Sequence, residues 1–385
     1  MACAEKGYMY VGNLSLSNHA GIGIYAYDSS GNLRFIKTVY WEISAGSMVI
    51  DSPNRRLYCV DERVCDSTGL PGGKVYSFLI DENTGDLTML SCVRTRTTLP
   101  CSLVLNTQRN QLLVSNYGKR DLSVICTKTQ DGQMESRLCC DTTAVLVFPI
   151  DSHGHIGDPV DLWSPNEPPS FSQDNSHLHA IVKVPGYDLF AVCDTGRNKL
   201  HMLRLEGDKL EHCGSQENAL TDAGPRYCVC HPELPLLYLN CEKADTLYVF
   251  RYDLSGRTEL VDTVKLPIKS EQKLMQSDLK ISVDGSKLYT LVRGENSLVQ
   301  YRIDQKTGKL SDPEVVYLGA SRPKGLGIPP NESSIYIACA KNRELLMYDS
   351  CTTAAAVPVV TDWNQPAPNC IAFWEGSEYG DILYQ

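Results

Sequence analysis

Long apolar segments are missing from this sequence: no run approaches the roughly 20 residues that a membrane-spanning helix needs. The first residues, MACAEKGYMYVGN, lack a basic segment followed by an apolar core, so we expect no secretory signal peptide. An excess of positive charge is absent too, because the formal net charge is -10 at pH 7. That charge argues against nucleic acid or an anionic membrane surface as the main partner. We therefore expect a cytoplasmic protein that binds neither.

The paired CxxC spacing of zinc sites is also absent, although the chain contains 16 cysteines. Many of these cysteines lie inside apolar, strand-like runs, where a thiol behaves as a small hydrophobic side chain. Examples are Cys59, Cys193, Cys241 and Cys339. This usage predicts a reduced compartment and no structural metal.

The sequence also lacks a sustained 3.6-residue apolar period, and this absence predicts very little helix. The chain instead repeats a pattern of about fifty residues: a turn, an apolar run with Leu-Tyr or a near equivalent, a polar break and a second apolar run. The copies read GYMYVGN, SPNRRLYCVDE, NTQRNQLLVSNYG, VPGYDLFAVCDTG, HPELPLLYLNCEK, SVDGSKLYTLVRG and PPNESSIYIACAK. The sequence thus contains seven copies.

Seven such repeats, each with room for about four short strands, predict an all-β fold: a single seven-bladed β-propeller over residues 1–385, with blades of about four antiparallel strands. Leu112 and Leu189 lie 77 residues apart, which predicts a loop insertion around 127–173. In that copy DLSVIC, which begins at Asp121, is the expected second strand. The segment PAPNCIAFWE near the end is expected to pair with the amino-terminal blade and close the ring. Two tandem domains are the alternative, which the even spacing disfavours.

In a propeller, residues at the ends of equivalent strands converge on a central channel. The polar residues at these positions include a histidine, carboxylates and several cations, a set that suits proton transfer on an anionic substrate. Polar strand ends also bond neighbouring blades, so Arg226 and Glu242 could equally form a structural ion pair. The candidates are Glu62, Asn116, Tyr117, His179, Arg226, Glu242, Asp278, Lys280, Arg293, Arg322 and Lys324.

The motifs SHLHAIVKVPG, AGPRYCVCHP, LNCEK and SRPKGLGI, with SNYG and VDE earlier, resemble the lactonase family of seven-bladed propellers. This family includes the cycloisomerase-like 6-phosphogluconolactonases and the fungal 3-carboxy-cis,cis-muconate lactonizing enzyme, and the resemblance covers all seven copies. The family's functional His falls on His179, its Gly-Pro-Arg arginine on Arg226, its Glu on Glu242 and its second Arg on Arg293.

The resemblance implies hydrolysis of a sugar lactone, most simply 6-phosphogluconolactone, with no metal or cofactor. His179 or Glu242 would then be the general base, while Arg226 and Arg293 would hold a phosphate or the tetrahedral oxyanion. Lys324 would add positive charge. Further substrate-binding candidates are Asn116, Tyr117, Glu62 and His177.

Four departures from the family pattern affect substrate choice. Tyr227 stands where bacterial members have His, Cys241 replaces an Asn, and Lys280 replaces a His. Lys324 replaces an Arg, and that change is not conservative where an anion is bound bidentately. The nature of the substrate's anionic group is therefore open.

Three other functions remain open at this level. A muconate-type cycloisomerase would use the same cations for substrate carboxylates. A non-catalytic propeller would bind a partner protein, although the WD and GH dipeptides of common interaction propellers are absent. A calcium-dependent lactonase would need oxygen ligands such as Glu62, Asn116 and Glu242.

Overall fold

The computed structural model describes residues 5–15, 20–28, 30–65, 69–70, 72–165, 168–171, 174–216, 218–330, 332, 334–349, 356–360 and 367–376. Residues 166–167 and 172–173 of the predicted insertion, and Pro366 of the predicted closing segment, lie outside this description.

Seven four-stranded antiparallel sheets are present in the described residues, so the predicted seven-bladed propeller is confirmed. The first blade contains β1 (Glu5–Leu14), β2 (Ile22–Asp28), β3 (Leu33–Val39) and the last strand of the chain, β30 (Ala367–Trp374). The second contains β4 (Ala45–Asp51), β5 (Arg56–Asp61), β6 (Lys74–Ile80) and β7 (Leu87–Arg94). The third contains β8 (Pro100–Asn106), β9 (Gln111–Asn116), β12 (Ala144–Pro149) and β13 (Asp161–Trp163).

The remaining four blades follow the chain without interruption. The fourth contains β14 (Leu178–Lys183), β15 (Leu189–Asp194), β16 (Lys199–Glu206) and β17 (Lys209–Gln216). The fifth contains β18 (Pro225–Cys230), β19 (Leu236–Cys241), β20 (Thr246–Tyr252) and β21 (Thr258–Lys265). The sixth contains β22 (Met275–Ile281), β23 (Lys287–Arg293), β24 (Ser297–Ile303) and β25 (Leu310–Tyr317). The seventh contains β26 (Pro323–Gly327), β27 (Ile335–Cys339), β28 (Glu344–Tyr348) and β29 (Val357–Val360).

One strand of each blade lines the axis of the molecule. The successive contacts β30–β4, β4–β8, β8–β14, β14–β18, β18–β22, β22–β26 and β26–β30 close a circle of these inner strands. The first and last strands of the chain share one sheet, in which Tyr8 of β1 stands opposite Trp374 of β30. Their rings stack with centroids 6.1 Å apart. A closed ring leaves the inner strands no free edge, and it surrounds a central channel.

The insertion differs from the sequence-based expectation. DLSVIC does not enter the third blade: β10 (Leu122–Lys128) pairs with β11 (Met134–Cys140) in a separate two-stranded hairpin. The blade takes β12 instead. The physical reason is burial, since five of the six β12 residues are buried whereas most of β10 is exposed. β12 and β13 both lie within residues 127–173, where the sequence predicted a loop insertion.

Buried tyrosines connect neighbouring blades by a recurring contact. Each hydroxyl donates to the carbonyl oxygen of a glycine in the outer hairpin turn of the next blade, which satisfies a polar group that burial would otherwise leave unpaired. The three pairs are Tyr10 with Gly85 (2.9 Å), Tyr238 with Gly308 (2.8 Å) and Tyr336 with Gly31 (2.6 Å).

Helix is limited, in the described residues, to one 3₁₀ turn at Asn218–Leu220. The described part of the chain therefore contains no helix that has the length and apolar character needed to cross a bilayer.

Candidate active site

A β-bulge lies near the start of the inner strand in all seven blades. At each bulge the inner strand has one residue more than its partner: the pairing skips one inner-strand residue in five blades, and two inner-strand residues stand against one in the fourth and sixth blades. A bulge leaves the extra residue outside the ladder and turns its side chain away from the regular pleat. We call the bulged positions the bulge ring; they are Gly46, Cys101, His179 with Ala180, Arg226, Ser277 with Asp278, Lys324 and Asn369. His179, Arg226 and Lys324 therefore occupy equivalent places in three blades.

A second set of side chains comes from the ends of the second strands, which reach the same end of the channel because they run antiparallel to the inner strands. Glu62 follows β5, Tyr117 follows β9 and Glu242 follows β19, while Arg293 is the last residue of β23. The repeat therefore delivers two tiers of functional groups to one mouth of the channel.

Arg226, Glu242 and Arg293 form a charged cluster at this mouth. Nη1 of Arg226 donates to Oε2 of Glu242 at 2.7 Å, and Nη2 of Arg293 lies 3.4 Å from Oε1. Burial alone would raise the pKa of Glu242, but the two guanidinium groups outweigh burial and hold it below its usual value. Burial and repulsion from Arg226 lower the pKa of Arg293 to about 10. At neutral pH all three groups are charged.

His179 lies against this cluster and is only 6% exposed. Burial, followed by the positive charges of Arg226, Lys324 and Arg293, lowers its pKa well below the usual value for histidine. Its ring packs against Tyr227, with centroids 5.0 Å apart, and meets the edge of Tyr117 at 5.9 Å. The imidazole is therefore neutral at neutral pH and able to accept a proton.

Glu62 and Lys324 interact electrostatically with each other. Burial raises the pKa of Glu62, and the charges of Lys324 and Arg226 only partly oppose that effect. Burial also lowers the pKa of Lys324 to about 8, against the opposing effect of Glu62. The carboxylate has room because the facing bulge residue is Gly46: a β-carbon at that position would lie 2.5 Å from Oε2 of Glu62.

The predicted binding residues His177 and Tyr117 form one wall of the mouth. Their rings stack at 4.6 Å, and Nδ1 of His177 lies 3.0 Å from the carbonyl oxygen of Tyr117. Arg120 donates from Nη2 to the Tyr117 hydroxyl and lies over its ring. Sequence reasoning missed Arg120, because it lies in the loop that leads to the β10–β11 hairpin and no repeat position marks it.

The structure does not bring Asn116 to the channel. Its side chain is fully buried, and its Nδ2 donates to the carbonyl oxygens of Val114 (3.3 Å) and Ala144 (3.4 Å). The sequence predicted that Asn116 contacts the substrate. The structure instead places its side chain inside the third blade. The physical reason is that Asn116 is the last paired residue of β9, whereas Tyr117 is the first residue beyond it.

Two other candidates, Asp278 of the bulge ring and Lys280, lie on β22. Asp278 accepts backbone N–H bonds from Leu279 (2.8 Å) and from Leu326 of the next blade (2.7 Å), so it joins two blades. Lys280 lines a cavity deeper in the channel. The described residues contain no group of three or more His, Cys, Asp or Glu side chains placed to hold a metal ion.

Comparison with known proteins gives one consistent result. The family described as "Lactonase, 7-bladed beta-propeller" matches residues 8–373. The chain is 23% identical over 304 residues to a Bacillus subtilis protein named 6-phosphogluconolactonase, covering 78% of this chain and 80% of that one. It is 22% identical over 353 residues to a Formosa agariphila protein of the same name, covering 88% and 91%. The structure of a periplasmic gluconolactonase from Pseudomonas aeruginosa superposes with a TM-score of 0.79 at 20% identity, over 96% of this chain and 99% of that one.

Proposed function

This chain belongs to the lactonase family of seven-bladed β-propellers, and from that premise we propose that it hydrolyses a phosphorylated sugar lactone, 6-phosphogluconolactone in the first instance. Two relatives bear the name of that activity. One observation carries the proposal: the buried imidazole of His179, in ring contact with Tyr117 and Tyr227, interacts electrostatically with the cations Arg226, Arg293 and Lys324 at one mouth of the channel. A neutral base among fixed positive charges suits attack of water on the carbonyl of an anionic ester.

In the proposed reaction, His179 accepts a proton from water while the water oxygen bonds to the lactone carbonyl carbon. The carbonyl oxygen becomes negatively charged, and the guanidinium groups of Arg226 and Arg293 stabilise that charge. The tetrahedral intermediate then breaks its ring carbon–oxygen bond, and the imidazolium returns the proton to the departing alkoxide. One water is consumed and one open-chain hydroxy acid is formed.

Glu242 is a positioning residue in this scheme. Its two carboxylate oxygens face two guanidinium groups, so the lone pairs that would accept a proton already interact with Arg226 and Arg293. The geometry therefore favours His179 over Glu242 as the base. Lys324 is assigned to the anionic tail of the substrate, since an ammonium group binds phosphate as a point charge, without the two-pronged geometry of arginine.

A reduced, cytoplasmic location is part of the same proposal. All the cysteines that the structure describes are free thiols, and many of them are buried within blades. Such thiols are usual where glutathione and thioredoxin keep cysteine reduced.

The test is a substrate panel, run with EDTA, of 6-phosphoglucono-δ-lactone, glucono-δ-lactone and 3-carboxymuconate, with spontaneous hydrolysis subtracted. We expect the phosphorylated lactone to be opened fastest, with no loss of rate when EDTA is added. Turnover of the muconate alone would establish cycloisomerase chemistry instead. Rates equal to the spontaneous rate for every compound would reject catalysis and favour the binding platform.

A further inference from the structure

The β10–β11 hairpin stands apart from the seven blades. Among the residues that the structure describes, its two strands pair only with each other, so each strand keeps one edge without a partner strand. The hairpin also exposes apolar side chains, with Val124 62% and Met134 67% accessible to solvent. A two-stranded ribbon is only marginally stable by itself, and an open strand edge is a template for pairing with another strand. The hairpin is therefore a candidate interaction surface.

The backbone groups at the open edge of β11 follow from the hairpin turn. The N–H of Thr129 donates to the carbonyl oxygen of Gln133 at 2.8 Å, so Gln133 faces β10. Backbone groups alternate in direction along a strand, and the register between β10 and β11 contains no shift. The N–H and C=O groups of Met134, Ser136 and Leu138 therefore point away from β10 and form the open edge.

The sequence of β11, MESRLCC, is complementary to itself about Ser136. When two copies pair antiparallel across this residue, Glu135 of each copy stands opposite Arg137 of the other. Met134 then stands opposite Leu138. The charged pairs fall at the positions without ladder hydrogen bonds, where side chains approach most closely, and opposite charges stabilise such pairs. A shift of the register by two residues would instead place like charges opposite each other, so the charges select one register.

Glu135 and Arg137 are available for these contacts. Both residues are exposed, and neither side chain takes part in a hydrogen bond or an ion pair within the part of the chain that the structure describes. Their neighbours across the hairpin are uncharged, since Thr127 stands opposite Glu135 and Ile125 opposite Arg137. Each charge therefore lacks a partner of opposite sign within its own hairpin.

The other charges near β11 lie outside the proposed contact. Lys128 is on β10, one strand away from the open edge, and it is the only charged residue of β10. Asp131 accepts the Thr129 hydroxyl in the turn, and Asp141 accepts the Thr98 hydroxyl at 2.7 Å beyond the end of β11. Because β10 carries no acidic residue, its own edge offers no comparable self-complementarity.

We propose that β11 is the interface of a homodimer, in which two copies of this chain join β11 to β11 in one four-stranded antiparallel sheet. The two-fold axis passes through Ser136, so each Glu135–Arg137 pair occurs twice. An interface built on one short strand is small, and we expect the dimer to dissociate on dilution. This inference does not depend on the lactonase activity.

The test measures the dissociation constant of the dimer by sedimentation of the full chain over a dilution series. We expect a reversible monomer–dimer equilibrium. Arg137→Glu and Glu135→Arg should each raise the dissociation constant about tenfold or more, because two pairs of opposite charges become two pairs of like charges. Arg302→Glu, at an exposed arginine of β24, is the matched control and should dimerise like the parent protein.

Two further measurements test the pairing and its register. An equimolar mixture of Arg137→Glu and Glu135→Arg should dimerise more tightly than either variant alone, because the new carboxylate of one variant meets the new guanidinium group of the other. Ser136→Pro should abolish dimerisation, since proline removes the N–H at the centre of the open edge and leaves the bonds to β10 in place.

Four results would overturn the proposal: a parent protein that is monomeric at every concentration, a dimer unaffected by Arg137→Glu, a mixture no tighter than its separate components, or an equal loss in Arg302→Glu. Thermal unfolding of each variant identifies a folding defect. If Ser136→Pro fails to fold, the two charge variants and their mixture decide the question. Lactone hydrolysis is assayed separately, so its failure would leave this result unaffected.

Discussion

Arg226 and Glu242, sixteen residues apart in sequence, form a 2.7 Å ion pair at the mouth of the channel, and Arg293 of the next blade approaches the other oxygen of the same carboxylate. One carboxylate thus holds two like-charged guanidinium groups side by side, where they would otherwise repel each other. In the proposed mechanism, this arrangement assigns the carboxylate to positioning the cations and the imidazole to moving the proton.

Glu242→Gln should separate these roles. We expect kcat/KM to fall about 100-fold, because the guanidinium groups lose their anchor at the developing oxyanion. The free energy of unfolding should fall by about 3 kcal/mol, since two largely buried cations are left with less compensation. Steady-state kinetics and urea unfolding measure the two effects. Glu259→Gln, at an exposed carboxylate of β21, is the control. Equal losses of kcat/KM and stability in Glu259→Gln would contradict the positioning role proposed for Glu242.

His179→Gln should lower kcat at least about 100-fold, since it removes the proton acceptor while preserving side-chain size and polarity. The melting temperature should change little. His153→Gln, at an exposed histidine before β13, is the control and should change neither kcat nor the melting temperature. Normal turnover in His179→Gln, with turnover abolished in Glu242→Gln, would reverse the assignment of the base.

The dependence of kcat/KM on pH should have two limbs of different origin. In the proposed mechanism, activity requires the unprotonated form of His179. Because the pKa of His179 is lowered, kcat/KM should rise with pH only below about pH 6.5 and then level off. Lys324, with a pKa of about 8, loses its charge above that value, so kcat/KM should fall on the alkaline side.

Two variants of Lys324 identify the alkaline limb. Lys324→Arg keeps its charge and should shift that limb upward, whereas Lys324→Met should raise KM and abolish the limb. Profiles of both variants that overlie the parent profile would show that another group titrates near pH 8.

Gly196→Ala tests the packing that supports the histidine segment. A β-carbon at Gly196 would lie 1.8 Å from the carbonyl oxygen of Asn175 and 2.9 Å from Cδ2 of His177. We expect a loss of about 2 kcal/mol in stability, because the backbone must move to accommodate the methyl group. Gly319→Ala, where nothing lies within 4 Å, should be neutral. Matching unfolding curves for the two variants would contradict the close approach seen here.

Much of this molecule follows from its sequence. Period-two alternation, repeated Leu-Tyr strands and turn chemistry predict seven blades, because strand formation and hairpin turns depend on neighbours close in the chain. Ring symmetry then places His179 and Arg226 at equivalent positions of two inner strands, and Arg293 at the adjacent end of a second strand, without knowledge of any side-chain contact. The motifs around these residues also identified the family correctly.

Tertiary packing alone decided the rest. It selected β12 over β10 for the third blade and buried Asn116 inside that blade, because these outcomes depend on which surfaces meet across the fold. It also brought Arg120 to Tyr117 and placed Lys280 in the lining of a cavity deeper in the channel. The ion pairs that distinguish Glu242 from His179 depend on distances between blades, and those distances are not encoded in the spacing of residues along one chain.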